Sequence, residues 1–160
     1  MAADGRLTLA LLLEVEVEGR PSRLELAGPD GLLTLHPSVD GRRLHGNVVR
    51  ARGVDHVDLP WSTDHLLLVG GSLITAAVAA SWLQARVGVG QGDTSPVVEV
   101  GPDLRVRSAT WRVARVGERR WRLVAADRTG GLAVDLDPAG VPVGMPESHA
   151  WPLELDPPAG

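Results

Sequence analysis

The chain contains no cysteine, tyrosine or phenylalanine, and all sixteen of its basic residues are arginine. The lack of cysteine excludes disulfides, thiol nucleophiles and cysteine-held metals, and the lack of lysine excludes Schiff-base chemistry. The formal net charge is −4 at pH 7. A surface that binds nucleic-acid phosphates is basic, so this charge argues against nucleic acid as a partner. These absences leave small-molecule binding, cofactor-free catalysis and a structural role open.

What the chain does contain is the composition of a globular protein, with 44% hydrophobic and 22% charged residues among 160. That length suits one domain with a core of its own. We predict a single β-barrel-like domain over residues 1–160, with a frayed tail at 156–160. Asp4 and Arg6 stand together near the start, unlike the basic start of a secretory signal, so we expect a cytoplasmic protein.

Alternating apolar and polar residues, separated by turn signals, recur about every 8 to 12 residues along the chain. The clearest case is the run from Leu7 to Val17, in which every second residue is leucine or valine. The predicted strands lie at 7–17, 23–26, 32–35, 43–50, 54–59, 65–69, 97–100, 104–116, 119–126, 132–137 and 151–155. This spacing predicts a mainly β fold, an antiparallel β-barrel that is closed or nearly closed, with a β-sandwich as the alternative.

Residues 66–85 form an uncharged stretch that is long enough to span a bilayer. A Gly-Gly-Ser sequence at 70–72 interrupts it, which favours a buried strand followed by a buried helix over a membrane span. We predict one helix at about 73–87, with Ser72 as its N-cap. A hydrolase nucleophile elbow has the same order of strand, glycine, serine and helix, but Ile74 stands where that motif has its last glycine.

The densest polar cluster lies between residues 55 and 65 and contains two histidines and three aspartates. If the protein is an enzyme, His56, Asp58 and His65 are the candidate catalytic residues, because histidine and carboxylate side chains serve as general acids and bases. The alternative is a strand end and a turn that carry polar side chains to solvent. The cluster shows no third ligand at a known metal spacing, so we predict no metal site and no cofactor.

Five tryptophans are spread along the chain, and arginine is concentrated between residues 105 and 122. Aromatic walls are common in ligand cavities, and arginine recognises carboxylate and phosphate head groups. The candidate ligand-binding residues are therefore Trp61, Trp82, Trp111, Trp121, Arg105, Arg107, Arg112 and Arg115. The alternative is that the tryptophans fill the core and the arginines cover a solvated sheet face.

Six stretches, taken in order, carry a family resemblance. They are Leu44-His-Gly-Asn-Val48, Val57-Asp-Leu-Pro-Trp-Ser62, Asp103-Leu-Arg-Val106, Trp111-Arg-Val-Ala-Arg-Val-Gly117, Arg120-Trp-Arg-Leu123 and Asp135-Leu-Asp-Pro-Ala-Gly-Val141. Over residues 12 to 155 the chain resembles the glycolipid-binding family of bacterial proteins, which implies a barrel-like antiparallel β fold and lipid binding. The chain has Asp64-His-Leu-Leu-Leu68 where the family has Thr-Asn-Leu-Pro-Ile, and Met145-Pro-Glu where the family has Tyr-Pro-Gly.

We expect the chain to bind an apolar small molecule or a (glyco)lipid in the β-barrel cavity, in a pocket of a few hundred Å³ walled by tryptophan. The alternative is a cofactor-independent enzyme, a cyclase or isomerase, that acts on an apolar natural-product-like substrate in the same cavity. A structural protein with a solid core is the third hypothesis. The expected partner is thus the small molecule, without nucleic acid or membrane, and the sequence is compatible with a homodimer.

Overall fold

Five strands at the start of the chain form one sheet in which each strand pairs with the next. A computed structural model describes residues 9–70, 72–127 and 131–144. The strands are β1 (Ala10–Val15), β2 (Pro21–Gly28), β3 (Gly31–Pro37), β4 (Arg43–Arg50) and β5 (Gly53–Pro60). All four pairings are antiparallel, and the order in this first sheet is β1-β2-β3-β4-β5.

Six further strands in the described part of the chain form the second sheet. They are β6 (Leu66–Val69), β7 (Gly92–Val100), β8 (Val106–Arg115), β9 (Arg120–Ala125), β10 (Gly131–Leu136) and β11 (Pro142–Gly144). Their order is β11-β10-β9-β8-β7-β6, and every pairing is antiparallel except the parallel one between β6 and β7. Parallel neighbours need a crossover connection. Helix α1 (Leu73–Leu83) supplies it.

Helix α1 begins where the sequence predicts, at Leu73, directly after its N-cap Ser72. The Ser72 Oγ accepts a hydrogen bond from the backbone N–H of Thr75 at 3.4 Å, which caps the helix. The helix ends at Leu83, earlier than the predicted residue 87, and Val87 follows as a buried core residue. Within the described residues no helix is long and apolar enough to cross a membrane.

The part of the second sheet formed by β6 and the end of β7 lies between two hydrophobic layers, because these residues are buried on both faces. Leu67 and Val98 pack against the leucine-rich inner face of the first sheet. Leu66 and Val97 face the other way, toward the alanines of α1 and the fully buried Trp121. A strand covered on both sides reads as a continuous apolar run rather than as an alternation. Burial of β6 on both faces explains why the strand part of the uncharged stretch at 66–85 carries no polar residue.

The predicted mainly β, barrel-like fold with one helix is confirmed, with the described strands divided between two sheets. Gly46 in β4 permits a close approach within the first sheet, since a Cβ there would overlap the carbonyl oxygen of Thr34. The largest differences from the predicted strands are that residues 92–96 extend β7 and that β11 is additional. In addition, β1 ends at Val15 and not at 17, and β8 begins at Val106 and not at 104. The predicted strand at 151–155 and the tail at 156–160 lie outside the described residues.

Candidate functional site

A cleft of about 630 Å³ opens at the end of β6 and β7. We call it the Glu99 cleft. Its lining includes Leu68, Glu99, Pro102, Arg107, Trp111 and Leu132. Side chains alternate along a strand, so Glu99 shares the helix-facing side of β7 with Val97, and Arg107 shares that side of β8 with Trp111. The cleft therefore combines the carboxylate of Glu99 with apolar side chains, and the turn after β7 adds a second carboxylate, that of Asp103, beside Arg105.

The Glu99 carboxylate is buried, with 9% of its side chain exposed. Arg107 stands directly opposite on β8 and donates from Nε at 2.7 Å and from Nη2 at 2.6 Å to Glu99 Oε2. Trp111 donates its indole N–H to the other oxygen, Oε1. The hydrogen bonds and charge of Glu99 raise the pKa of Arg107 above its usual value, which keeps the guanidinium charged.

Residue Glu99 was not among the candidates from the sequence, although the sequence holds a signal for it. It is a single carboxylate in the otherwise apolar run at 96–100, just before the turn at 101–105. A hairpin that closes with Val100 opposite Val106 places Glu99 opposite Arg107. A charged residue on a buried strand, facing its counter-charge across a hairpin, indicates a built polar site.

The turn between β7 and β8 forms the rim of the cleft. Gly101 N donates to Arg105 O at 2.9 Å, and Leu104 N donates to Gly101 O at 3.0 Å. Leu104 has a positive φ of 62° and yet is buried, so packing holds it in a conformation that leucine seldom adopts. Arg50 of the first sheet donates to Asp103 O at 2.9 Å and ties the rim to β4. The rim is therefore held by both sheets.

Three of the sequence candidates meet at the Glu99 cleft. Arg107 and Trp111 contact Glu99, and Arg105 lies on the rim. The side chain of Arg105 is 85% exposed and lies 3.2 Å from Asp103 Oδ2. Both arginines at the cleft thus have a carboxylate close by, which weakens their electrostatic attraction for an anionic head group.

A second cleft, of about 330 Å³, lies beyond the end of β5, and we call it the Trp61–Trp82 cleft. It brings together Trp61, Trp82 and His65. The Trp61 and His65 rings stack with centroids 5.3 Å apart, and His65 Nδ1 lies 2.9 Å from Ser62 Oγ. Burial lowers the pKa of His65, and the charge of Asp64 opposes this only in part.

The remaining members of the predicted catalytic cluster lie elsewhere. His56 and Asp58 are exposed on the outer face of the first sheet. His56 Nδ1 is 2.6 Å from Asn47 Oδ1, and Asp58 accepts from Arg43 Nε at 2.8 Å. The hydrogen bond from Arg43 lowers the pKa of Asp58. Since His65 lines the Trp61–Trp82 cleft instead, the structure does not bring the three side chains into one site.

Three of the predicted ligand-binding residues have other positions. Arg112 is exposed on the face of β8 opposite to Trp111. Arg115 donates from Nη2 to Glu118 O at 2.7 Å, and its guanidinium carbon lies 5.5 Å from the centre of the Trp121 ring. Trp121 is fully buried in the core beneath α1. No group of three or more His, Asp or Glu side chains within 9–70, 72–127 and 131–144 could hold a metal ion.

Comparison with known proteins gives a match in fold. The crystal structure of a DUF1089 family protein from Pseudomonas aeruginosa superposes with a TM-score of 0.61 over 92% of this chain and 94% of that chain, at 14% sequence identity. No family model and no curated protein matches the sequence, so neither supports the expected membership of the glycolipid-binding family. The chain is thus similar in fold to a DUF1089 family protein.

Proposed function

We propose that this protein binds a small amphiphilic molecule in the Glu99 cleft. One observation carries the proposal: a buried carboxylate lines a cleft together with apolar side chains. Removing a carboxylate from water is costly, and the half-exposed guanidinium of Arg107 offsets little of that cost because solvent screens its charge. A ligand-binding role therefore accounts for a charged residue at this position better than net stability does, because the bonds that Glu99 makes only offset the cost of burying its charge.

The ion pair between Glu99 and Arg107 favours a neutral head group with hydroxyls. A hydroxyl donates to a carboxylate and also accepts from a guanidinium, so it suits both members of the pair. A carboxylate or phosphate head would meet the negative charge of Glu99, and Arg107 is already engaged at 2.6 Å and 2.7 Å. The apolar part of the ligand would lie along Leu68 and Leu132.

A glycolipid belongs to this chemical class, since it joins a hydroxyl-rich head to an apolar chain. The sequence resemblance to the glycolipid-binding family supports the same class. Binding fits the geometry better than catalysis by the predicted cluster, because His56 and Asp58 lie on the outer face of the first sheet, away from the cleft of His65. A cytoplasmic location and a homodimer stay predictions.

The test titrates the protein with n-octyl β-D-glucoside below its micelle concentration and follows the five tryptophan indole N–H signals by NMR. We expect saturable binding that shifts the Trp111 signal. Glu99→Gln and Arg107→Gln should each weaken binding about tenfold, because hydrogen bonds to charged groups are worth about 1.5–3 kcal/mol.

The matched control is Asp135→Asn. Asp135 also accepts two hydrogen bonds from one arginine, from Arg120 Nε at 2.7 Å and from Arg120 Nη2 at 3.0 Å, but it lies on the other face of the second sheet. This variant should bind the glucoside as the wild type does. Tighter binding of decanoate than of the glucoside, or equal weakening in all three variants, would show that Glu99 and Arg107 do not recognise a neutral head. Circular dichroism of each variant identifies any that fail to fold.

A further inference from the structure

We propose that the Trp61–Trp82 cleft is a second binding site, which takes a neutral, flat molecule that carries a carbonyl oxygen. It shares none of its lining residues with the Glu99 cleft, so the two proposals are independent. Three observations lead to this ligand class. They are a fixed aromatic surface, two buried N–H groups that have no acceptor in the described part of the chain, and the sign of the charge around them.

The aromatic surface of the cleft is held in place by its neighbours. Trp61 N donates to Arg42 O at 2.9 Å, which fixes the backbone just after β5. The Trp61 ring stacks on His65, and His65 is in turn within 2.9 Å of the hydroxyl of Ser62. Trp82, from α1, lines the same space. Rings fixed in this way bind a flat apolar group at a low entropic cost.

Two N–H groups at the cleft are buried and have no hydrogen-bond acceptor among the described residues. They are Nε1 of Trp82 and Nε of Arg20. The Arg20 Nε lies 3.7 Å from Glu18 Oε2, which is too far for a hydrogen bond, while its Nη2 donates to Glu16 at 3.1 Å. Buried polar groups in native proteins almost always have hydrogen-bond partners, and a buried donor without one is destabilising.

The position of these two donors matters more than the lack of an acceptor by itself. The indole N–H of Trp121 also has none among the described residues, but Trp121 is fully buried in the closed core. Trp82 and Arg20 come from α1 and from the link between β1 and β2, and both line one open cleft. A ligand carbonyl oxygen, with its two lone pairs, is the kind of acceptor that each of these donors lacks.

The charges at the cleft exclude an anionic ligand. Glu16 and Asp40 line it together with Arg20, so carboxylates outnumber the guanidinium. Asp40 remains negative, because hydrogen bonds from Ser38 and from the Arg42 backbone lower its pKa. A ligand carboxylate or phosphate would be repelled, whereas an amide, ester or ketone oxygen would not. An ammonium group suits the carboxylates and the rings, but it offers no acceptor to the two N–H groups.

The experiment uses three probes with one ring and different substituents, which are benzamide, ethylbenzene and benzylamine. Each is titrated into the ¹⁵N-labelled full chain while the indole N–H signals are recorded. Benzamide should shift the Trp82 signal downfield in a saturable way, because that N–H gains an acceptor. Ethylbenzene should bind more weakly and leave this signal near its starting position. The Trp82 signal is assigned by its loss in Trp82→Phe or, if that variant does not fold, through the wild-type backbone.

The matched variant is Arg20→Lys, which keeps the positive charge near Glu16 and removes the Nε donor. Benzamide binding should weaken about tenfold, which is the effect of losing one hydrogen bond from a charged donor. Asp135→Asn, which removes a carboxylate outside both clefts, should leave benzamide binding unchanged. Stronger binding of benzylamine than of benzamide would identify a cation site and overturn the proposal. The absence of any Trp82 shift at saturating benzamide would also overturn it.

Discussion

The bond from Trp111 to Glu99, rather than the ion pair from Arg107, should carry most of the stability at the Glu99 cleft. Both partners of the indole bond are buried, with Trp111 6% and Glu99 7% exposed. A buried hydrogen bond to a charged group is worth about 1.5–3 kcal/mol. The Arg107 side chain is 51% exposed, so solvent screens its charge and its coupling to Glu99 should stay below about 1 kcal/mol.

Two double-mutant cycles measure these couplings. The first combines Glu99→Ala with Trp111→Phe, and the second combines Glu99→Ala with Arg107→Ala. A double-mutant cycle isolates the coupling energy between the two residues. The other effects of each single substitution, such as the cavity it leaves or the loss of further contacts of Glu99, cancel in the cycle. We expect a coupling energy of about 1.5–3 kcal/mol in the first cycle and less than about 1 kcal/mol in the second.

The assay is urea unfolding followed by far-ultraviolet circular dichroism, because Trp111→Phe changes the tryptophan fluorescence itself. The free energy of unfolding of each variant comes from linear extrapolation to water. A coupling to Arg107 that exceeds the coupling to Trp111 would refute the reasoning, since it would mean that the half-exposed ion pair is not screened. Equal couplings would refute it as well.

Two further predictions concern the rest of the fold. Gly46→Ala should lower the free energy of unfolding by about 3 kcal/mol or more, since its Cβ would overlap Thr34 O and come within 2.7 Å of Leu35 Cδ2. Gly41→Ala is the comparison, because a Cβ at Gly41 would meet open space and only the positive φ of 67° opposes it, so this substitution should cost about 1–2 kcal/mol. Thermal unfolding measures both variants, and an equal loss of stability in the two would contradict the overlap at Gly46. The lowered pKa of His65 means that the unfolded chain binds more protons just below its usual value of 6.5, so stability should fall as the pH drops through that region. His65→Gln should lack this part of the pH dependence, and unfolding curves with the same pH slope in both proteins would disprove the assignment.

Much of the fold could be predicted from the sequence because local patterns determine it. Alternation of apolar and polar residues predicted β4 at its observed bounds, and Ser72 before an alanine-rich segment marked the start of α1. Residues 92–96 show the limit of such patterns. They include glycine, aspartate and proline, which are rare in strands, and they become part of β7 because β8 offers a partner strand.

The clefts depended on contacts that no local pattern contains. The sequence grouped His56, Asp58 and His65 within ten residues, yet the exposed face of β5 and the chain beyond it carry them to different places. The register of the β7–β8 hairpin places Glu99 opposite Arg107. Arg20 and Trp82 line one cleft although they come from distant segments, the link before β2 and helix α1. Local propensity decides which segments become strands, but the register and packing of distant segments decide which side chains share a cleft.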